Sequence, residues 1–367
     1  MRLYKTELFK LFYRKFFMVC LLCVLGILLL YFYFVNVGDE RTTVNGKLYT
    51  GYKAVQEDCK ITKEFRGVLT DDKAEQIIEK YGFPSKVEEY YGDFRDQNYL
   101  NGFITEYLGN GYFRDWDDYK VSTSLYTISQ TDLGRAAEAG GNEIILDYTK
   151  GWTVFFDILQ LGMILGSVLV LVGVSPVFSE EYQNNMSALL FTSEEGKSKD
   201  IIAKIAACFT MTTIIYIAIV VCVSVCIGSV YGFEGKDCII GTVLANSLNP
   251  ESPETMKTVL YFASLTLVLD YLALISLCAI TVCVSAHSKT LFHAVSVSCM
   301  IWLAPLLIRL MGSGAGYLLI TGTPLFMIMT VVLLDIYRIL IIPVMIAMCT
   351  LILCTISSWR YQKKLPI

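Results

Sequence analysis

Six apolar stretches, each about twenty residues or longer, constrain the fold of this chain more than any other feature. A helix needs about 20 apolar residues to cross the ~30 Å hydrocarbon core of a bilayer, where backbone polar groups must bond within the helix. Stretches of this length lie at 16–35, 154–178, 201–231, 258–284, 291–311 and 336–358. The sequence therefore predicts an all-α polytopic membrane protein with six transmembrane helices.

The charged residues are unevenly distributed along the chain. Only 17% of the residues are charged, whereas soluble domains average about a quarter. Residues 36–153, between the first two apolar stretches, hold 14 Lys and Arg against 21 Asp and Glu. This long acidic insertion predicts a globular α+β domain between helices 1 and 2. The net charge of −4 sums two opposite parts, so it gives no indication of nucleic-acid binding.

Within the insertion, one segment carries the local signals of a helix. Thr70 is a suitable N-cap, and Asp71 and Asp72 follow it in the first turn, where acidic side chains are favoured. Gly82 can end the helix in a conformation that other residues rarely adopt. These signals predict a helix over Asp71–Tyr81.

Lys and Arg residues in short loops indicate the cytoplasmic side, because positively charged loops are retained there. They concentrate at one side of the predicted spans, at Arg2, Lys5, Lys10, Arg14, Lys15, Lys197, Lys199, Lys204, Lys289, Arg360, Lys363 and Lys364. The loop after the third span, on the opposite side, has only Lys236 and Lys257. The pattern predicts a multi-pass cell-membrane protein with both termini in the cytoplasm and the acidic domain outside.

These features divide the chain into alternating membrane and loop segments. We expect an amphipathic interface helix at 1–15 and a cytoplasmic segment at 179–200. Besides the domain at 36–153, an outer loop is predicted at 232–257. The glycines of 312–335 indicate a broken or re-entrant segment, and a cytoplasmic tail is predicted at 359–367.

Ten of the twelve cysteines lie in the apolar stretches, where cysteine behaves as a small hydrophobic residue. Cys59 and Cys238 fall in the segments that we place outside the membrane. Whether these two form a disulfide stays open at this stage.

The segment between the second and third spans is the most informative for function. The second span ends at two carboxylates, Glu180 and Glu181. A short amphipathic helix follows, with Met186, Leu189 and Leu190 on one side. An apolar face on the cytoplasmic side predicts a docking surface for a partner protein. The alternative is a helix that rests on lipid headgroups.

This segment resembles that of the type 2 ABC-transporter permeases, the ABC-2 membrane subunits. In that family a glutamate ends the second helix, a serine or threonine and a leucine pair follow, and an Ala-Lys or Gly-Lys pair opens the third helix. The matching residues are Glu180 or Glu181, Ser187, Leu189, Leu190, Thr192, Ala203 and Lys204. The chain departs from the pattern at Asn184 and Asn185, where the family often has glycine, so the geometry of the turn stays open.

The resemblance implies a function for the chain. The outer domain between helices 1 and 2 is similar to that of a Gram-positive subgroup of these permeases. Residues 183–196 would form a coupling helix that docks on a separate ABC ATP-binding subunit, where Mg²⁺ and ATP bind. A second permease copy or a paralogue would complete a dimer. The implied cargo is an amphipathic, lipid-like or peptide-like compound, such as an antimicrobial peptide in export or resistance. The residues implied in coupling are Glu180, Glu181, Met186, Leu189, Leu190 and Lys204.

The sequence lacks the motifs of catalysis and metal binding. Residues 196–198 match the end of a P-loop, but Phe191 stands where the first glycine is required. His287 and His293 have neither metal nor catalytic-triad spacing. We therefore predict that the chain is not an enzyme and binds no cofactor or metal directly, and that a partner subunit hydrolyses ATP.

Charges are costly within a membrane span, and two of those in the predicted spans are of functional interest. Asp270 is near the middle of the fourth span, and Arg309 is near the outer end of the fifth. Both are candidates for a polar translocation path. The alternative is a structural role, in which Asp270 forms a hydrogen bond with Tyr271, Ser276 or a neighbouring helix.

Two other classes of membrane protein compete with the exporter. A receptor or sensor would bind a ligand with the acidic outer domain and a signalling partner with the cytoplasmic segment. An ion channel would carry a repeated pore loop or a ring of charges, and neither is visible in the sequence.

Overall fold

The computed structural model describes residues 2–82, 96–108, 126–186, 198–244, 256–311, 319–329 and 340–364. The described part is mostly helical. Its helices are α1 (Arg2–Phe12), α2 (Lys15–Tyr31), α3 (Tyr52–Phe65), α4 (Asp71–Tyr81), α5 (Tyr99–Leu108), α6 (Asp132–Gly140), α7 (Lys150–Val174), α8 (Pro176–Gln183), α9 (Lys199–Val230), α10 (Val259–His287), α11 (Leu291–Met311), α12 (Pro324–Met327) and α13 (Ile341–Lys364). Its strands are β1 (Arg41–Val44), β2 (Lys47–Thr50), β3 (Gly67–Val68) and β4 (Ile145–Leu146).

Six helical segments of the described residues are long and apolar enough to cross a membrane, which confirms the predicted number. They are Lys15–Val37, Lys150–Gln183, Lys199–Val230, Val259–His287, Leu291–Leu310 and Ile341–Lys363. The second segment is longer than the predicted 154–178 because α8 continues α7. The predicted start of the sixth at residue 336 lies outside the described residues.

The chain divides into two compact units. The bundle unit comprises Met1–Leu28, Ile158–Val223 and Leu265–Ile367. The inserted unit comprises Leu29–Asp157 and Ser224–Ser264. The second part of the inserted unit contains the predicted outer loop at 232–257, so this loop belongs to the same compact unit as the acidic domain.

The inserted unit is mainly helical, and its described strands form two small antiparallel sheets, β1–β2 and β3–β4. The β1–β2 hairpin turns at Asn45 and Gly46, which both have positive φ, 53° and 74°. Such angles suit a two-residue hairpin turn and favour this residue pair. The carboxylate of Asp96 accepts hydrogen bonds from both turn amides, at 2.7 and 2.8 Å. The predicted α+β character is thus limited to short sheets.

Helix α4 confirms the helix predicted over Asp71–Tyr81. The side chain of Thr70 accepts a hydrogen bond from the amide of Lys73 at 3.3 Å, and Gly82 follows the helix with φ of 76°. The apolar face of α4 packs into the core of the inserted unit. That core includes Ile61, Ala74, Ile77, Tyr81, Leu100, Phe103, Ile104, Leu133, Ile144, Leu146 and Ile239.

The segment after α9 belongs to the same core. Ile239 is buried in it and forms an antiparallel bridge with Thr258. Cys238 is buried and Cys59 is partly buried, and both are free thiols in this structure. The loop therefore joins the inserted unit through backbone pairing and apolar packing.

In the bundle unit, the backbone at Gly322 approaches α13 closely. The helix that contains Ile320 ends before Thr323, and α12 begins at Pro324. A Cβ atom added at Gly322 would lie 2.6 Å from Cβ of Ile346, which leaves room only for glycine. This part of the predicted stretch 312–335 is helical but interrupted.

Candidate functional site

The end of α8 carries the two carboxylates that the sequence singled out. Pro176 opens this helix at a position where proline is compatible with helical geometry. Glu180 and Glu181 lie one to two turns further on and form salt bridges with Arg14, which lies between α1 and α2, and with Lys204 on α9. We call the five charged residues that meet here the junction cluster: Arg14, Glu180, Glu181, Asp200 and Lys204.

Lys204 is the centre of the junction cluster. Its side chain is only 2% exposed, and its ammonium nitrogen lies 3.0 Å from a carboxylate oxygen of Glu181. It also pairs with Asp200, four residues earlier on α9. A buried ammonium is costly unless it is paired and hydrogen-bonded, and here two carboxylates provide the compensation. The contact joins the end of α8 to the beginning of α9.

Helix α1 packs against the same junction. Arg14, just after α1, donates a hydrogen bond to the carboxylate of Glu180. The hydroxyl groups of Tyr4 and Thr210 are 2.8 Å apart, and Leu11 is buried. A cavity of about 220 Å³ lies between these elements, lined by Glu7, Lys10, Leu11, Arg14, Pro176, Val177, Glu180, Glu181, Asn184, Met186, Lys204 and Ala207.

A tight turn follows α8 and carries Met186 into solvent. Asn185 has φ of 55°, in the left-handed region that glycine adopts readily and asparagine tolerates. The amide of Met186 donates to the carbonyl of Glu181 at 2.9 Å, and the Met186 side chain is 52% exposed. Asparagine at position 185, where the resembling family often has glycine, is therefore compatible with the turn.

The remaining predicted coupling residues lie outside the described residues. Leu189 and Leu190 fall in 187–197, as do Ser187 and Thr192. The described structure thus gives both ends of the predicted segment, at Met186 and at Ser198, and the contacts that hold these ends.

Other helices brace α8 through residues that sequence reasoning did not identify. The hydroxyl of Ser285 on α10 donates to the carbonyl of Ser175 at 2.6 Å and accepts from the amide of Phe178 at 3.1 Å. Gln362 on α13 accepts from the hydroxyl of Tyr182 at 2.9 Å. Ser285 and Gln362 are both buried. Their only sequence signal is a polar residue near the end of an apolar span.

Asp270 and Arg309 lie on different helices of the bundle unit. Asp270 is 1% exposed on α10, and neither carboxylate oxygen has a hydrogen-bond partner in the described part of the chain. Ser276 bonds to the carbonyl of Ala273, and Tyr271 pairs with Thr213. The hydrogen bond predicted for Asp270 is therefore not formed by these residues. Arg309 lies in the last turn of α11.

The two histidines make structural contacts near the ends of α10 and α11. Nδ1 of His287 lies 2.8 Å from the carbonyl of Cys283, and its ring packs on Tyr361. Nδ1 of His293 is 3.0 Å from the hydroxyl of Ser288. Among the described residues, no group of three or more His, Cys, Asp or Glu side chains is arranged to hold a metal ion.

Comparisons with protein-family models, with curated proteins and with solved structures find no match for this chain. The site is therefore interpreted from its own geometry and from the motif described above.

Proposed function

We propose that this chain is the membrane-spanning permease subunit of an ATP-driven ABC exporter, with ATP and Mg²⁺ bound by a separate ATPase subunit. The observation that carries the proposal is the junction cluster. It holds together the two ends of a short segment, 187–197, whose sequence resembles the coupling segment of ABC-2 permeases. A segment anchored at both ends can pass a force from a docked partner to two membrane helices.

The contacts of α8 support this transmission step. Salt bridges attach the C-terminal part of α8 to α9 and to Arg14. Hydrogen bonds of Ser285 and Gln362 attach α8 to α10 and α13. Packed elements tend to move as rigid bodies between discrete arrangements. A push on the segment would therefore move several spans together, as alternating access requires.

The proposal includes an orientation and an assembly. The junction cluster and both termini lie in the cytoplasm, because the basic residues of the short loops concentrate there. The acidic domain at 36–153 lies outside the cell membrane. A second copy of the permease or a paralogue completes a dimer, and the cargo is an amphipathic, lipid-like or peptide-like compound. Asp270, a buried acid without a hydrogen-bond partner among the described residues, is a candidate for the translocation path.

Co-purification of ATPase activity tests the proposal. The tagged chain is isolated from the membranes of its own cells, and Mg²⁺-dependent ATP hydrolysis is measured in the isolated complex. We expect activity with the wild type and its loss in the double variant Leu189→Asp/Leu190→Asp, at an unchanged amount of chain in the membrane.

The matched control adds two carboxylates to exposed apolar positions of the inserted unit, Leu48→Asp and Val68→Asp. It should retain the co-purified ATPase activity. Equal activity in the Leu189/Leu190 variant would contradict the assigned docking surface. Absence of ATPase activity from the wild type would favour the receptor or sensor alternative.

A further inference from the structure

The inserted unit contains a cavity of about 700 Å³, within the range of small-molecule sites. Four parts of the unit line the cavity. They are residues 35–40 after α2, residues 98–103 at the beginning of α5, residues 149–157 at the beginning of α7 and the segment 242–244. We call it the acidic cavity because Asp39, Glu40 and Asp157 lie on its wall, and Lys150 is the one basic side chain among its described lining residues. Its walls therefore carry an excess of negative charge.

Some polar groups of the acidic cavity are fully engaged in the fold. Glu40, which is 6% exposed, pairs with Lys150 and accepts a hydrogen bond from the hydroxyl of Tyr231 at 2.9 Å. The hydroxyl of Tyr99 donates to the carbonyl of Asp147 at 2.9 Å and lies 2.9 Å from the hydroxyl of Thr149. These contacts fix the shape of the cavity, and the ion pair with Glu40 compensates the charge of Lys150.

Three other polar side chains of the cavity, Asn36, Asp39 and Asp157, have acceptor atoms without donors among the described residues. Asp39 and Asp157 form no hydrogen bond or ion pair with the described residues. The side-chain oxygen of Asn36 is buried and likewise accepts no hydrogen bond there. A buried acceptor without a donor, such as the Asn36 oxygen, is unfavourable and rare in folded proteins. Asp39 and Asp157 are exposed side chains, so their carboxylates are accessible to a ligand. A ligand that carries several N–H donors would bond to all three groups.

The rest of the wall is apolar. Val154, Phe103 and Val243 are buried side chains that border the cavity, and Val35 borders it from the end of the first span. An apolar wall beside unpaired acceptors matches a molecule with a cationic head and an apolar portion. Ammonium and guanidinium groups fit these acceptors because they only donate hydrogen bonds.

We propose that the acidic cavity binds a cationic amphiphile, with its ammonium or guanidinium group between Asp39 and Asp157 and its apolar part against Val154 and Val243. This inference deepens the proposed function and rests on it, because it names the chemical class of the exported compound. A lipid with an amine headgroup has the same chemistry as a soluble cationic amphiphile, and the experiment separates the two sources.

Calorimetric titration of the whole chain in phosphatidylcholine nanodiscs tests the site, with empty nanodiscs as the reference. The probes are octylamine, octanol and octanoate, which share one alkyl chain and differ in charge. We expect saturable binding of octylamine only. Charge-assisted hydrogen bonds are strong, so Asp39→Asn/Asp157→Asn should weaken octylamine binding by roughly tenfold or more.

The matched control is Glu75→Gln/Glu79→Gln, which removes two exposed carboxylates of α4 in the same unit. It should bind octylamine like the wild type. Nanodiscs that contain phosphatidylethanolamine distinguish the source: a weaker affinity for octylamine identifies the lipid headgroup as a competitor, and an unchanged affinity identifies a soluble amphiphile.

Three results would overturn the inference: octylamine binding that survives in the Asp39/Asp157 variant, octanol binding as strong as octylamine binding, or saturable binding of calcium chloride alone that the variant abolishes. The last result would identify a metal site. The titration uses the permease without an ATPase, so its failure is distinguishable from failure of the ATPase test.

Discussion

The bundle unit and the inserted unit each hold a polar cluster, and the two clusters differ in how their carboxylates are partnered. In the junction cluster, Glu181 and Asp200 share the buried ammonium of Lys204, and Glu180 faces Arg14. In the acidic cavity, Asp39 and Asp157 have no cation or donor among the described residues.

The difference indicates that the junction cluster stabilises the fold, whereas the carboxylates of the acidic cavity are available to a ligand. Charges that compensate each other in a buried site hold elements together, and removal of one partner exposes the cost of burying the others. Carboxylates without partners contribute little to the fold. Substitutions in the two clusters should therefore have very different effects on stability.

The largest effect is expected for Lys204→Met. This change leaves Glu181 and Asp200 next to each other without their shared cation. The free energy of unfolding should fall by about 3–5 kcal/mol, as for other buried ion pairs that lose one partner, measured by denaturant titration in detergent micelles. The exposed Lys289 of the bundle unit provides the control, since Lys289→Met should change the free energy of unfolding by about 0.5 kcal/mol or less.

A rescue variant separates charge from packing in this experiment. Lys204→Met combined with Glu181→Gln and Asp200→Asn removes all three charges and should recover much of the lost stability. If the single and triple variants are equally unstable, the ammonium does not act through its charge.

An intermediate effect on the free energy of unfolding is expected for Asp58, a buried acid whose carboxylate accepts hydrogen bonds. Its carboxylate accepts from the hydroxyl of Thr42 at 2.7 Å and from the amide of Tyr99 at 3.1 Å, yet burial raises its pKa from 3.8 to about 6. The folded state therefore binds the proton more tightly than the unfolded state, and stability rises as the pH falls through 6 toward 3.8.

Between pH 7.5 and pH 4.5, this group alone should stabilise the fold by about 2 kcal/mol. The measurement compares unfolding of the wild type with that of Asp58→Asn at both pH values. The variant should lack this part of the pH dependence. Parallel pH profiles for the two proteins would show that the carboxyl group of Asp58 has an ordinary pKa.

Asp270 is a buried acid of the bundle unit, and its carboxylate has no hydrogen-bond partner among the described residues. Asp270→Leu removes a polar group without hydrogen-bond partners and keeps a similar size, so the free energy of unfolding should rise by about 1–2 kcal/mol. Asp270→Asn keeps a polar group at the site and should stay close to the wild type. A loss of stability in the leucine variant would indicate a partner for this carboxyl group.

The smallest effect is expected in the acidic cavity. Asp39→Asn/Asp157→Asn should leave the free energy of unfolding within about 0.5 kcal/mol of the wild type, because no described contact is lost. The same denaturant titration measures it. A decrease of more than about 1 kcal/mol would mean that these carboxylates stabilise the fold, and the contrast between the two clusters would fail.

Local signals in the sequence predicted the parts of the fold that depend on neighbouring residues. The length of each apolar run identified the six spans, and Thr70 and Gly82 bounded α4. The Asn45-Gly46 pair is a comparably strong hairpin signal, and the prediction could have used it to locate β1 and β2.

The sequence could not predict contacts between distant segments. The membership of Ile239 in the core of the inserted unit depends on packing between parts of the chain far apart. The same holds for the bonds from Ser285 to α8. At the candidate site, the motif identified Glu181 and Lys204, but their salt bridge became visible only when the ends of α8 and α9 were placed together.

The sidedness of the junction cluster is the claim on which both proposals depend, and cysteine labelling measures it directly. A membrane-impermeant maleimide is applied to intact and to permeabilised cells that produce Met186→Cys or Glu75→Cys, with the wild type as the background. We predict that Met186→Cys reacts only after permeabilisation, whereas Glu75→Cys reacts in intact cells. Labelling of Met186→Cys in intact cells would contradict the account.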